Sequence, residues 1–171
     1  MQSSESNQIA AEFFAQGYRV SGTFAITTRL LADVMIDPTT DYLLVQEAYL
    51  SPISDSASIS AHYTLAMVRK DNLDFVITIR QQDGLRRDQR YGMANNKYII
   101  FLTVPFFEIT GELNTTMKQF NPRTYIGMEA GAFITLLNVT ARSTFNPNIS
   151  YAGGVAIINR SKISFFGEKA G

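Results

Sequence analysis

The chain has 171 residues and no cysteine, which excludes disulfides, thiolate zinc sites and a cysteine nucleophile. Its length suits one medium domain or two small ones, and 46 % apolar residues with 18 % charged ones provide a packed core and exclude global disorder. Fifteen basic residues balance fifteen acidic ones, which argues against an obvious nucleic-acid or acidic-membrane binder.

The balance is uneven along the chain. Residues 1–57 carry Arg19 and Arg29 against seven acids, a net of −5; residues 58–97 have a net of +3 and residues 98–171 a net of +2. An acidic first half and a basic second half favour head-to-tail self-association.

Residues 1–7 are polar and expected to be loose. They lack the basic and apolar regions of a signal peptide, so a cytoplasmic location is expected. Residues 8–16, with Ile9, Phe13 and Phe14 on one helical face, suit a short helix or an irregular first strand. From Tyr18 to Thr28 apolar and polar residues alternate, which predicts a half-buried strand, and Gly22 inside it invites a bulge or bend. Residues 29–37 suit one helical turn, ended by Asp37-Pro38. Tyr42–Leu50 reads as a strong strand and 51–60 as a serine-rich loop. Residues 61–69 and Leu73–Ile79 read as a hairpin around Lys70-Asp71-Asn72.

Residues 80–97, RQQDGLRRDQRYGMANNK, are polar and aperiodic, and read as a connecting loop or the tip of a long hairpin. Strand character resumes with YIIFLTVPFFEITGEL, Tyr98–Leu113, the longest apolar run, with Pro105 at an edge or bend. Its most apolar part, Tyr98 to Phe107, is about half the length a membrane-spanning helix needs. Residues 114–131 show little periodicity. Phe133–Ala141 is the next strand, Phe145–Gly154 a loop with turn glycines Gly153-Gly154, and 155–159 with 162–166 a hairpin around Arg160-Ser161.

The second half repeats the first at an offset of about ninety residues. YRVSGTF at 18–24 matches FEITGEL at 107–113, so Gly22 matches Gly111. Tyr42–Leu50 matches Phe133–Ala141, and LAMVRKDNLDFV at 65–76 matches VAIINRSKISFF at 155–166. Three blocks matched in order predict two versions of one β unit.

Each unit resembles the Sm-like small barrel, anchored on Val20, Gly22, Tyr42 to Ala48 and Met67 to Phe75, then on Ile109, Gly111, Phe133 to Val139 and Ile157 to Phe165. The resemblance implies an SH3-like barrel with a short N-terminal helix. The family's asparagine before its central strand is missing at Asp41 and Ala132. Its Arg-Gly turn is replaced by Lys70-Asp71 and Arg160-Ser161. Those positions bind RNA in the family, so the resemblance implies RNA binding least of all. The segment from Thr28 to Leu50 with the hairpin after it is also similar to an uncharacterised bacterial family of small β domains, which brings no activity with it.

Little here suggests catalysis. His62 is the only histidine, with Asp55 and Glu47 as candidate carboxylate partners, and it reads as a strand-end residue. No G-x-S-x-G elbow or phosphate loop occurs. Asp33, Asp37 and Asp41 share a four-residue spacing, but Pro38 breaks the helix that would align them, so they read as turn residues rather than metal ligands. Arg80, Arg86, Arg87, Arg90, Tyr91 and Lys97 form a candidate docking or nucleic-acid loop, diluted by Asp83 and Asp88. The pairs Phe13-Phe14, Phe106-Phe107 and Phe165-Phe166 matter more. Neighbours on a strand point to opposite faces, so one of each pair enters a core while the other covers a domain or oligomer interface.

The expected architecture is all-β: two tandem, similar small β-barrel units of the Sm/SH3 kind packed together. Residues 1–79 form the first unit, 80–97 the connection and 98–171 the second. The expected function is a non-catalytic assembly subunit that needs no cofactor or metal and binds protein, copies of itself or a larger complex. An RNA-binding protein and a small-ligand-binding barrel are the alternatives.

Overall fold

The computed structural model describes residues 8–25, 29–55, 57–90, 96–128 and 131–171, and only the backbone of Arg87 and Arg90. The loose terminus expected at 1–7 lies outside these residues. The protein is all-β, and the described residues form ten antiparallel strands in one continuous, open sheet. Among the described residues no helix is long and apolar enough to cross a membrane.

The chain runs β1 (Gln8–Ala15), β2 (Tyr18–Ala25), α1 (Leu31–Ile36), β3 (Tyr42–Pro52), β4 (Ala61–Arg69), a 3-10 turn (Lys70–Asn72) and β5 (Leu73–Thr78). The short helices α2 (Gln81–Gly84) and α3 (Arg87–Arg90) follow. Then come β6 (Asn96–Val104), β7 (Phe107–Thr115), α4 (Pro122–Met128), β8 (Phe133–Ser143), β9 (Ser150–Asn159), a second 3-10 turn (Arg160–Lys162) and β10 (Phe165–Glu168). The strand order is β10-β6-β7-β8-β9-β5-β1-β2-β3-β4. Strands 1–5 are therefore ordered fifth, first, second, third, fourth, and strands 6–10 repeat that order.

Residues 8–16 do not form the short N-terminal helix. They form β1, because Ile9, Ala11 and Phe13 bury one face of a strand while Phe14 buries the other. The apolar run Tyr98–Leu113 forms two strands, β6 and β7, with Pro105 at the bend between them. It folds back at Pro105-Phe106, where Phe106 takes φ 70°, and Tyr98 pairs with Leu113 across the β6–β7 hairpin. Proline followed by a positive φ is the geometry of a type II turn.

Both hairpins expected around the basic turns are absent. β5 leaves β4 and pairs with β1 and β9, and β10 leaves β9 and pairs with β6. A two-residue hairpin loop needs positive φ. The residues flanking both 3-10 turns have φ between −65° and −80°, and no residue in either turn has positive φ. The chain thus passes out of the plane of one hairpin and across to another strand. Residues 80–97 are likewise no hairpin tip, since β5 and β6 do not pair; α2 and α3 occupy part of the connection. Gly153 and Gly154 lie inside β9 rather than in a loop.

Two apolar clusters sandwich the central strands. One gathers Phe14, Phe75, Phe107, Ile100, Leu136 and Ile158; the other gathers Phe13, Leu31, Val45, Val76, Val155 and Ile157. Adjacent residues of β1, β5 and β9 enter opposite clusters, so all six residues of β5 are buried. Each cluster mixes residues of both halves, which makes the junction between the halves part of the core.

Gly22 and Gly111 sit at register breaks in β2 and β7, opposite Glu47 and Asn138, whose φ values are 47° and 48°. Each break adds a residue to β3 or β8 and sharpens the local twist. The bulge that Gly22 suggests is present, and Gly111 has its counterpart.

Candidate interaction edges

Among the described residues, eight strands of the sheet have neighbours on both sides, and β4 and β10 have one each. Their outer N–H and C=O groups form two open edges, the usual template for pairing with another strand. β4 is nine residues long and contains no proline and no acidic residue. Its outward face carries Leu65 at 57 % exposure and Met67 at 62 %, beside Leu44 of β3, which pairs with Met67. Three large apolar side chains on one open edge are costly in water: burying each would contribute about 1.5–3 kcal/mol.

β10 presents Phe165, which is exposed, and Phe166, which is half-buried. Phe165 packs edge-on against Phe101, with centroids 5.9 Å apart. Phe166 meets Phe120 and Tyr125 at 5.6 and 5.9 Å, and Phe120 in turn meets Tyr98. This aromatic group closes one end of the first apolar cluster without fully covering it.

The aromatic pairs divide differently from one another. Phe13 and Phe14 are both buried, one in each cluster, so what covers the second ring belongs to the same chain. Phe14 stacks on Phe75 at 4.3 Å and meets Phe107 and Tyr151 edge-on, joining the two halves. Phe107 is buried, while Phe106 is exposed at the turn beside Phe145. Phe165 and Phe166 lie at the open edge.

The basic connection is dispersed. Arg80 pairs with Asp83 at 2.9 Å and Arg86 with Asp88 at 3.2 Å, so the diluting acids engage these arginines directly. Asp83 raises the Arg80 pKa through its hydrogen bond. Lys97 lies on β6, 3.8 Å from Glu112. Tyr91 and the side chains of Arg87 and Arg90 lie outside the described residues.

One basic residue of each 3-10 turn is engaged by carbonyl oxygens of the chain itself. Lys70, 5 % exposed, donates from Nζ to the carbonyl oxygens of Val34, Asp37 and Thr40 at 2.7, 2.7 and 2.9 Å. Burial lowers its pKa. Arg160 donates to the Ile126 carbonyl at 3.0 Å. Both therefore hold the segment between the second and third strands of their half, a role no spacing in the sequence signals.

His62 Nε2 lies 2.8 Å from Glu47 Oε2, and its ring stacks on Tyr49. Both members of the pair are about half exposed, which suits a strand-surface contact. Asp37 is held by Thr39 and Arg29, which keep its carboxyl well below the usual carboxylate range. A mostly apolar groove of about 550 Å³ runs across β1, β2, β3, β5 and β9, between Ala11, Gly22, Tyr49, Ile77 and Tyr151. Two acids line it, Glu12 and Glu47; Glu12 accepts a hydrogen bond from Ser21 and lies 3.7 Å from Arg19. No protein-family model matches the chain, and neither a curated protein nor a solved structure matches it.

Proposed function

We propose that this chain is a non-catalytic structural subunit that associates with copies of itself through its open sheet edges. Its two similar halves, residues 1–79 and 98–171, are small-barrel units of the Sm-like kind joined by the connection at 80–97. The repeated strand order and the paired bulges at Gly22 and Gly111 support that reading. The observation that carries the assembly is the long β4 edge beside Leu44, Leu65 and Met67. The charge asymmetry adds to it: residues 1–57 are net acidic and residues 98–171 net basic, so the two ends of different copies attract. Lys70 and Arg160 are engaged by carbonyl oxygens, which weakens the RNA-binding alternative.

Light scattering across a concentration series, at low and high salt, tests this. A multimer that loosens in salt is the expected result. A single-chain mass at every concentration overturns self-assembly, and salt-dependent retention on single-stranded RNA would then favour the alternative.

A further inference from the structure

We infer that the groove over β1, β2 and β3 binds a small organic amine: one ammonium group carried on an apolar body and held by Glu47. The site is separate from the open sheet edges and does not depend on self-association.

A bulge aims the carboxylate. Val45 and Ala48 are buried, and two residues, Gln46 and Glu47, lie between them. In a regular strand one of any two neighbours faces the core. The extra residue turns both away from it, and Glu47 lines the groove together with Tyr49. Glu47 adopts φ 47°, a left-handed conformation that suits asparagine better than glutamate.

The second half shows what the fold itself asks for at this place. Asn138 holds the matching position at φ 48°, at the register break beside Gly111. It is bonded within the chain, donating to Glu112 Oε2 at 3.2 Å and accepting from Gln81 Nε2 at 3.0 Å. The backbone geometry is therefore met there by the residue that suits it. The first half instead places a carboxylate, which has no lysine or arginine partner among the described residues. Its contact is between His62 Nε2 and Oε2 at 2.8 Å, which leaves Oε1 open.

Charge selects the ligand. Glu12 and Glu47 are the charged residues of the lining. Glu12 is engaged by Ser21 and lies 3.7 Å from Arg19, so that guanidinium offsets one carboxylate and Glu47 remains. One uncompensated negative charge suits a single cation and repels an anion. Each carboxylate also stands with a tyrosine ring and a basic side chain of the chain itself. Arg19 lies over the Tyr151 ring at 5.2 Å, and the His62 ring stacks on Tyr49 at 4.2 Å. Carboxylate beside aromatic face is the pairing that holds a cation and its apolar body together.

The remaining surface is apolar. Ala10, Ala11, Ala152, Ile77 and Ile79 line the groove, and Ile79 is 76 % exposed. β9 contributes Ser150, Tyr151 and Ala152, so the second half completes a site whose carboxylates come from the first. A volume of about 550 Å³ with few polar groups is the usual form of a small-ligand site.

The chain has no tryptophan, so an indole ligand can be followed by its own emission. Tryptamine is expected to bind saturably at one site per chain. 3-Methylindole, which lacks the ammonium group, should bind at least about tenfold more weakly. Indole-3-propionate, with a carboxylate in its place, should not bind. Glu47→Asn puts the second half's residue into the same backbone conformation. It is expected to keep the circular dichroism spectrum and to lose about tenfold or more in tryptamine affinity. Ala152→Leu, at an exposed position, fills the groove and should abolish binding. Equal binding of tryptamine and 3-methylindole, unchanged affinity in Glu47→Asn, undiminished binding by Ala152→Leu, or no saturable binding by the wild type overturns the site. Tighter binding of the peptide acetyl-Phe-Lys-Phe-amide than of tryptamine assigns the groove to a protein segment and overturns the small-ligand reading.

Discussion

A Cβ on Gly111 would lie 2.8 Å from Cγ1 of Val139, so the crossing of β7 over the bulged β8 depends on the missing side chain. The same added atom would sit 3.1 Å from the Leu137 carbonyl oxygen, which cannot rotate away. Gly111→Ala is expected to destabilise the fold by about 1–3 kcal/mol, the usual cost of overpacking. Gly22→Ala, whose Cβ would meet the Gln46 carbonyl oxygen at 2.9 Å, should cost a similar amount. Urea unfolding with unchanged m-values checks both.

Gly153 serves the junction between the halves. Its Cβ would fall 2.6 Å from the Thr78 carbonyl oxygen, and it would also collide with Ile77. Gly153→Ala should therefore separate β9 from the end of β5 and cost about 3 kcal/mol, at the upper end of the overpacking range. Faster amide exchange concentrated in β5 and β9, with β2, β3, β7 and β8 less affected, is the signature to measure.

Lys70 supplies donors to three carbonyl groups around α1. Lys70→Met keeps most of the volume and removes the donors. The loss is expected to be about 1–3 kcal/mol, since acceptors left without partners retain their desolvation cost. Denaturant unfolding gives the size, and exchange at the amides of α1 should show where it falls. Lys70→Arg should restore part of the stability if the donors, rather than packing alone, matter.

Asp74 is buried, and burial raises its pKa from the ordinary 3.8 while Lys162 and the Gln16 N–H draw it down. The folded chain therefore holds this proton more tightly than the unfolded chain. The resulting destabilisation is absent below pH 3.8, grows as pH rises toward the folded-state pKa and is complete above it. Asp74→Asn should thus be more stable than the wild type at pH 7, with the difference shrinking toward pH 3. Chemical denaturation of both chains at the two pH values decides this; a difference that widens on acidification contradicts it.

The sequence by itself determined most of the strand segments and the glycine at which each half bends. Alternation in Tyr18–Ala25 and Ala61–Arg69, the run after Tyr42 and the glycines at 22 and 111 are local features, and local periodicity shows which residues share a face. Tertiary structure alone decided which strand lies beside which. The 3-10 turn after Arg69 looked like a hairpin turn because both have short polar residues; its backbone instead sends β5 across to β1 and β9. Gly153 and Gly154 looked like loop residues because the strand that crowds them is contributed by residues more than seventy positions earlier. The open edges were invisible for the same reason. A strand with one neighbour has the same kind of composition as a strand with two, and Leu65 lacks the second neighbouring strand that Val155 has. Side-chain pattern is written along the chain, whereas backbone hydrogen-bond partners are chosen in space.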